Sequence, residues 1–111
     1  MLATGVANGY QPVDPKTVFT AADKWVYLVY QVADVPADSS FQITWIAVDV
    51  RGLGHNYEVS HDHCDCNYKT SADRVGYFAL GSPPGGFLAG SYSADLYLDG
   101  ALIGSYPFDV Q

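Results

Sequence analysis

Basic and charged side chains are scarce in this sequence of 111 residues. Lys and Arg total 5 against 12 Asp and Glu, and charged residues make up 15% of the chain, well below the roughly 25% of an average soluble domain. The resulting net charge of −7 argues against nucleic acid and anionic membrane surfaces as partners, because both are bound by clustered basic side chains. We therefore expect no nucleic-acid partner.

Long apolar runs and familiar catalytic motifs are also missing. No stretch approaches the roughly 18 uncharged apolar residues of a membrane-spanning helix, so we expect no membrane insertion. The start of the chain is small and polar, and we expect that no signal peptide lies within it. The sequence has no Gly-x-Ser-x-Gly elbow, no phosphate-binding loop, and Glu58 as its only Glu. These features favour a protein that is not an enzyme.

The residues that are abundant favour strands and turns. Hydrophobic residues make up 49% of the chain and aromatics 14%, with nine Tyr and two Trp. Residues 41–50 and 91–98 alternate apolar with polar side chains, as in strands with one buried face. Residues 25–32 are almost wholly apolar, which predicts a strand covered on both faces. We expect both Trp25 and Trp45 to lie in the core.

Turn signals separate these strands and set the predicted organisation. Asp99-Gly100 between two apolar segments predicts a type I′ hairpin, with a bulge near Gly104-Ser105 in the last strand. Residues 1–15 have no period and read as a tail or linker, whereas residues 16–111 read as one domain. The pattern predicts an all-β, antiparallel, two-sheet sandwich of about seven strands.

The C-terminal half carries a resemblance. A Pro/Gly loop is followed by Gly90-Ser91-Tyr92, a Leu-Tyr-Leu-Asp-Gly hairpin over residues 96–100, and Phe108-Asp109-Val110. This order resembles the end of small immunoglobulin-like domains in bacterial and archaeal extracytoplasmic proteins, and Phe19 and Trp45 fit the same pattern. The resemblance implies an immunoglobulin-like sandwich that is an accessory or spacer module of a larger surface or envelope protein.

The segment of residues 61–66 is the most unusual in the chain. It reads His-Asp-His-Cys-Asp-Cys, and all three His and both Cys fall within residues 55–66. Imidazole and thiolate are ligands for Zn²⁺ or copper. The metal candidates are His55, His61, His63, Cys64 and Cys66.

Two other interpretations of this segment remain open. Cys64 and Cys66 are a disulfide candidate, or they are free thiols in a solvated loop. A thiol enzyme using Cys64 or Cys66 is a third hypothesis, although a base and a nucleophile adjacent in the chain are rarely placed correctly for catalysis.

The sequence leads to two main functional expectations. The first is a non-catalytic structural or interaction module of a larger extracytoplasmic protein, with no cofactor and with a protein or a glycan surface as its partner. Tyr57, Tyr68 and Tyr97 are the candidate exposed aromatics for that contact. The alternative is a metal-binding protein that uses Zn or Cu in the 61–66 loop.

Overall fold

Alternation of apolar and polar side chains builds most of the chain into strands, because successive residues of a strand face opposite sides of a sheet. A computed structural model of the chain describes residues 1–64, 66 and 68–111. The strands within these residues number nine rather than about seven. In chain order they are β1 (Leu2–Ala7), β2 (Gln11–Pro15), β3 (Val18–Phe19), β4 (Trp25–Val35), β5 (Phe41–Val50), β6 (Tyr57–His63), β7 (Ala72–Gly81), β8 (Gly90–Leu98) and β9 (Ala101–Val110).

The strands form two sheets that enclose one core. One sheet has the strand order β2-β1-β4-β7, and the other has the order β3-β9-β8-β5-β6. The pairings are antiparallel except for that of the short β3 with β9. This confirms the predicted all-β two-sheet sandwich, which is consistent with an immunoglobulin-like fold in general. Within the described part of the chain there is no helix of the length and apolarity that crossing a membrane requires.

The first fifteen residues are a hairpin, which corrects the expectation that residues 1–15 are a tail or linker. β1 pairs with both β2 and β4, and Leu2 and Ala3 are buried. The chain reverses through Gly9 and Tyr10, whose φ angles of 74° and 56° lie in the left-handed region that glycine adopts without steric cost. The prolines of β2 are compatible with this pairing because β2 is an edge strand.

Alternate residues of β5 and β8 meet between the sheets, as their sequence pattern predicts. The buried residues of these two strands include Phe41, Ile43, Trp45, Ala47, Tyr92, Ala94 and Leu96. Trp45 is 1% exposed, and its ring lies 6.2 Å from that of Phe108, edge to face. Leu98, also expected in the core, is only half-buried, because it is the last residue before the hairpin turn at the end of the sandwich.

The β8–β9 hairpin has the predicted turn. Asp99 and Gly100 have φ angles of 51° and 83°, the pair of positive values that defines a type I′ turn. The bulge is also present, but it lies slightly earlier than expected. Leu96 pairs with Gly104 and not with Ile103, which is left outside the register.

The two tryptophans provide a matched test of the core. We expect Trp45→Ala to lower the free energy of unfolding by about 3–5 kcal/mol, because it removes a fully buried ring. Trp25→Ala is the control, since Trp25 is 48% exposed and should cost less than about 1.5 kcal/mol. Urea denaturation of both variants measures the difference. Equal losses for the two variants would contradict this assignment of the core.

Tyr30 is a buried phenol in this core. Its ring lies 4.6 Å from that of Phe41, and it covers Gly76, where an added Cβ would come within 2.7 Å of the phenol carbon Cζ. Burial raises the pKa of Tyr30 to about 12, with smaller contributions from Tyr68 and Tyr10. The folded protein therefore holds this proton more tightly than the unfolded chain does.

This raised pKa predicts a loss of stability at alkaline pH. The contribution of the neutral Tyr30 phenol to the free energy of unfolding is fully present below its unfolded pKa of 10. It is lost as pH rises through the folded pKa of about 12. We expect Tyr30→Phe to have a flatter decline in the free energy of unfolding across that range than the parent protein. Tyr57→Phe, at an exposed position, is the control and should decline as the parent does. Identical slopes for Tyr30→Phe and the parent would show that Tyr30 ionises equally in both states.

Candidate functional site

The histidines of the 61–66 segment lie on a strand and not in a loop. β6 extends through His63 because His61 and His63 continue the pairing with Thr44 and Gln42 of β5. The two imidazoles are two residues apart on the strand, so they share one face of the sheet, and both are exposed. Nδ1 of His61 lies 3.2 Å from a carboxylate oxygen of Glu58.

The cysteines of the segment are placed as a pair against the end of the core. Cys64 and Cys66 lie at disulfide distance with their Cα atoms 5.1 Å apart, and both are half-buried against the core cluster. The backbone N–H of Phe41 donates to Sγ of Cys64 at 3.3 Å, and the N–H of Cys64 donates to the Phe41 carbonyl at 3.0 Å. As a disulfide, neither sulfur is available as a thiolate ligand or a nucleophile. Asp65, which belongs to the predicted loop, lies outside the described residues.

The predicted metal ligands are not brought together. His55 lies in the turn between β5 and β6, whereas His61 and His63 lie further along β6. Among the described residues no group of three or more His, Cys, Asp or Glu could hold a metal ion. The Zn or Cu alternative therefore stays a prediction for which this part of the chain supplies no assembled ligand set.

The three predicted contact tyrosines do not share a surface. Tyr57 is 51% exposed, but it pairs with one end of β5 while Tyr97, half-buried, pairs with the other end. Tyr68 is half-buried against the core, and Cζ of Arg74 lies 4.0 Å from the centre of its ring. Its ring is therefore already stacked within the chain.

A different set of aromatic side chains lies together on the outer face of the four-stranded sheet. The ring centroids of Trp25 and Tyr27 are 6.2 Å apart, those of Tyr27 and Tyr77 5.7 Å, and those of Tyr77 and Tyr10 6.1 Å. Trp25, Tyr77 and Tyr10 are 48%, 47% and 46% exposed, and Tyr27 is half-buried. We call these four residues the aromatic cleft.

Strand register positions three members of the aromatic cleft. Trp25 and Tyr27 are alternate residues of β4, so both point away from the core. Tyr77 on β7 lies opposite Val29, the next outward residue of β4. Trp25 lies opposite Gly81, where an added Cβ would meet the indole at 3.0 Å. The absence of a side chain at Gly81 therefore lets the indole lie across the neighbouring strand.

The tip of the β1–β2 hairpin supplies the fourth member and forms a wall. Tyr10 reaches Tyr77 from the hairpin turn and encloses an open cleft of about 470 Å³. A second open depression, of about 350 Å³, lies beside it and shares Gly9 and Tyr10. This open cleft is lined by three of the four rings and not by Trp25, which adjoins it through Tyr27. The described residues that line it carry no charged side chain; they are Val6, Ala7, Asn8, Gly9, Tyr10, Tyr27 and Tyr77.

The chemistry of the aromatic cleft is that of a contact surface. Its ring faces offer apolar area, and the tyrosine hydroxyls and the amide of Asn8 offer hydrogen-bond donors and acceptors at the rim. Phenol, amide and aliphatic groups of this kind offer contacts to a neutral ligand and no charge to an ionic one. Three of the four rings, those of Trp25, Tyr27 and Tyr77, are carried by the paired strands β4 and β7. This pairing fixes the relative positions of these residues in the absence of a ligand.

Sequence reasoning missed this site because β4 is apolar at almost every position. We expected a strand covered on both faces with Trp25 in the core, but the outer face is covered only in part: Val29 is buried there, whereas Trp25 is half-exposed. The available signal was the alternation of large aromatics. Trp25 and Tyr27 alternate with the buried Val26 and Leu28, so the two aromatic residues lie on the opposite face of the strand.

Comparison with known proteins adds no identification. No protein-family model matches the chain, and no curated protein matches it.

The placement of the cysteines predicts how their loss affects stability. Replacing both with Ser should lower the free energy of unfolding by only about 1–2 kcal/mol, because a bridge over so short a loop removes little entropy from the unfolded chain. Reductant should lower the Tm of the parent protein and leave that of the double variant unchanged. Zn²⁺ should not raise the Tm of either. A zinc-dependent rise in the parent that the double variant lacks would contradict the disulfide assignment.

Proposed function

We propose that this chain is a non-catalytic binding module of a larger extracytoplasmic protein and that the aromatic cleft is its contact surface. The observation that carries the proposal is the run of four neighbouring rings, three of them about half-exposed, on the outer face of the four-stranded sheet. Tyr and Trp are the residues most enriched at the energetic centres of binding surfaces. They lose little conformational entropy on binding because each has only two side-chain torsions.

The cost of leaving these rings in water supports a binding role. Full burial of a large apolar side chain from water is worth about 1.5–3 kcal/mol, so a ring already half-buried would gain roughly half of that. Trp25 and Tyr77 lie on paired strands of a sandwich whose core cluster includes nineteen of the described residues, several of them aromatic. The same fold therefore covers other aromatic side chains while these two stay exposed. A contiguous exposed apolar patch on a small protein commonly marks an interaction site.

The extracytoplasmic part of the proposal has two supports. The pairing of Cys64 with Cys66 suits an oxidising compartment, since disulfides persist there and are rare in the cytosol. The resemblance of residues 90–110 to immunoglobulin-like modules of surface and envelope proteins points the same way.

Trp25 gives the proposal a direct test, because the sequence has two tryptophans and only Trp25 is exposed. Acrylamide quenching of tryptophan fluorescence reports mainly on Trp25, since Trp45 is 1% exposed. The probes are soluble neutral polysaccharides, an anionic polysaccharide and a proline-rich peptide. We expect at least one class to shield Trp25 saturably.

Two variants assign that shielding to the cleft. Tyr77→Ala should weaken the protection, and Tyr57→Ala, which removes an exposed Tyr on the other sheet, should leave it unchanged. If no probe shields Trp25, or if Tyr57→Ala abolishes the effect while Tyr77→Ala does not, the aromatic cleft is not the binding surface.

A further inference from the structure

We infer that the ligand of the aromatic cleft is a soluble, uncharged glycan chain, bound by stacking of its sugar rings on Trp25 and Tyr77. This inference rests on the proposed function, and it specifies the chemical class of the ligand. Four features of the cleft carry it: the way the indole is presented, the angles between the rings, the uncharged lining, and the area that the rings offer.

The first feature is the presentation of the indole. Trp25 lies across Gly81, with the site of the missing Cβ 3.0 to 3.6 Å from three of its ring carbons. One side of the indole is thus supported by the sheet, and 48% of the residue remains exposed. A pyranose ring has an apolar face of C–H groups that packs on an aromatic face, where the ring quadrupole is negative. A supported and exposed indole suits that contact.

The second feature is the set of angles between neighbouring rings. The interplanar angles are 36° for Trp25–Tyr27, 62° for Tyr27–Tyr77 and 43° for Tyr77–Tyr10. Rings tilted in this way cannot all lie flat on one plane. They fit successive units of a single chain that twists, and they do not fit the planar surface of a crystalline polysaccharide.

The third feature is the chemistry of the lining. Around the part of the cleft bounded by Tyr10, Tyr27 and Tyr77, the described residues offer tyrosine hydroxyls and the Asn8 amide, with no charged side chain among them. Sugar hydroxyls are neutral donors and acceptors that match these groups. Carboxylated or sulfated sugars would find no cationic partner there, and the net charge of −7 opposes their approach.

The fourth feature is the area of the patch. At about 150–250 Å² for each large aromatic side chain, three rings that are about half-exposed and the half-buried Tyr27 offer roughly 350 Å². A standard protein–protein interface buries about 800 Å² on each partner. The cleft also lies on the face of β4, which at Tyr27 is paired with β1 on one side and with β7 on the other, so an extended peptide cannot add to β4 there through its backbone. The small area favours a narrow glycan over a folded protein, and the pairing of β4 at Tyr27 disfavours an extended peptide added to that strand.

The test measures binding of the intact chain to named polymers by isothermal titration and by retardation in gels that contain the polymer. The neutral probes are a soluble β-glucan, a galactomannan and a xylan. The comparison probes are polygalacturonate, microcrystalline cellulose and a proline-rich peptide. We expect saturable binding to at least one neutral soluble polymer and none to the comparison probes.

Matched variants locate the contact. Trp25→Ala and Tyr77→Ala should each weaken binding about tenfold or more, the loss expected for a central aromatic contact. Gly81→Val should also weaken binding, because its side chain displaces the indole without removing it. Trp25→Tyr should restore part of the affinity. Tyr57→Ala should bind as the parent does, and circular dichroism with a melting curve for each variant identifies any that fails to fold.

The outcomes separate this inference from the proposed function. Binding of the cleft to polygalacturonate, cellulose or the peptide alone would overturn the assignment of a soluble, uncharged glycan and leave the binding module standing. Binding of none of the probes, with no shielding of Trp25 in the parent protein, would overturn both. Neutral-glycan binding that survives Trp25→Ala and Tyr77→Ala in folded variants would overturn the assignment of the ligand to this cleft.

Discussion

The structure depends on the register of β4 within the four-stranded sheet. β4 pairs with β7 from Trp25–Gly81 to Val32–Arg74 without interruption and with β1 on its other side. Because side chains alternate across a strand, this register sends Val26 and Leu28 into the core and Trp25 and Tyr27 outward. A slip of one residue would exchange the two sets. The core and the aromatic cleft are therefore two results of one pairing.

The elements around β4 complete both faces. Two glycines of β7 each lie under an aromatic ring of β4. Tyr30 lies over Gly76 on the inner face of the sheet, and Trp25 lies over Gly81 on the outer face. The β1–β2 hairpin then brings Tyr10 against Tyr77 and closes one side of the cleft. The opposite sheet carries His61 and His63 on its edge strand β6, away from the aromatic cleft. Rigid pairing thus gives the proposed site its shape, and the side chains supply its chemistry.

Sequence reasoning worked where strands alternate clearly. The inward residues of β5 were predicted because apolar and polar side chains alternate from Phe41 to Ala47. The β8–β9 turn was predicted because Asp-Gly between two apolar segments strongly favours a type I′ turn. It failed where local pattern is uninformative. An apolar strand such as β4 does not reveal which face is covered, since that depends on what packs against it.

The other differences also arise from long-range contacts. Residues 1–15 have no clear period, and β1 becomes a strand because β4 offers it a free edge. The five His and Cys candidates were close in sequence, but β6 keeps His61 and His63 exposed, whereas Cys64 and Cys66 beyond its end lie half-buried against the core. Oxidative footprinting by hydroxyl radicals tests the two-faced β4 most directly. The account predicts rapid modification of Trp25 and Tyr77 and protection of Trp45 and Tyr30 in the folded protein. Comparable rates for Trp25 and Trp45 would contradict it.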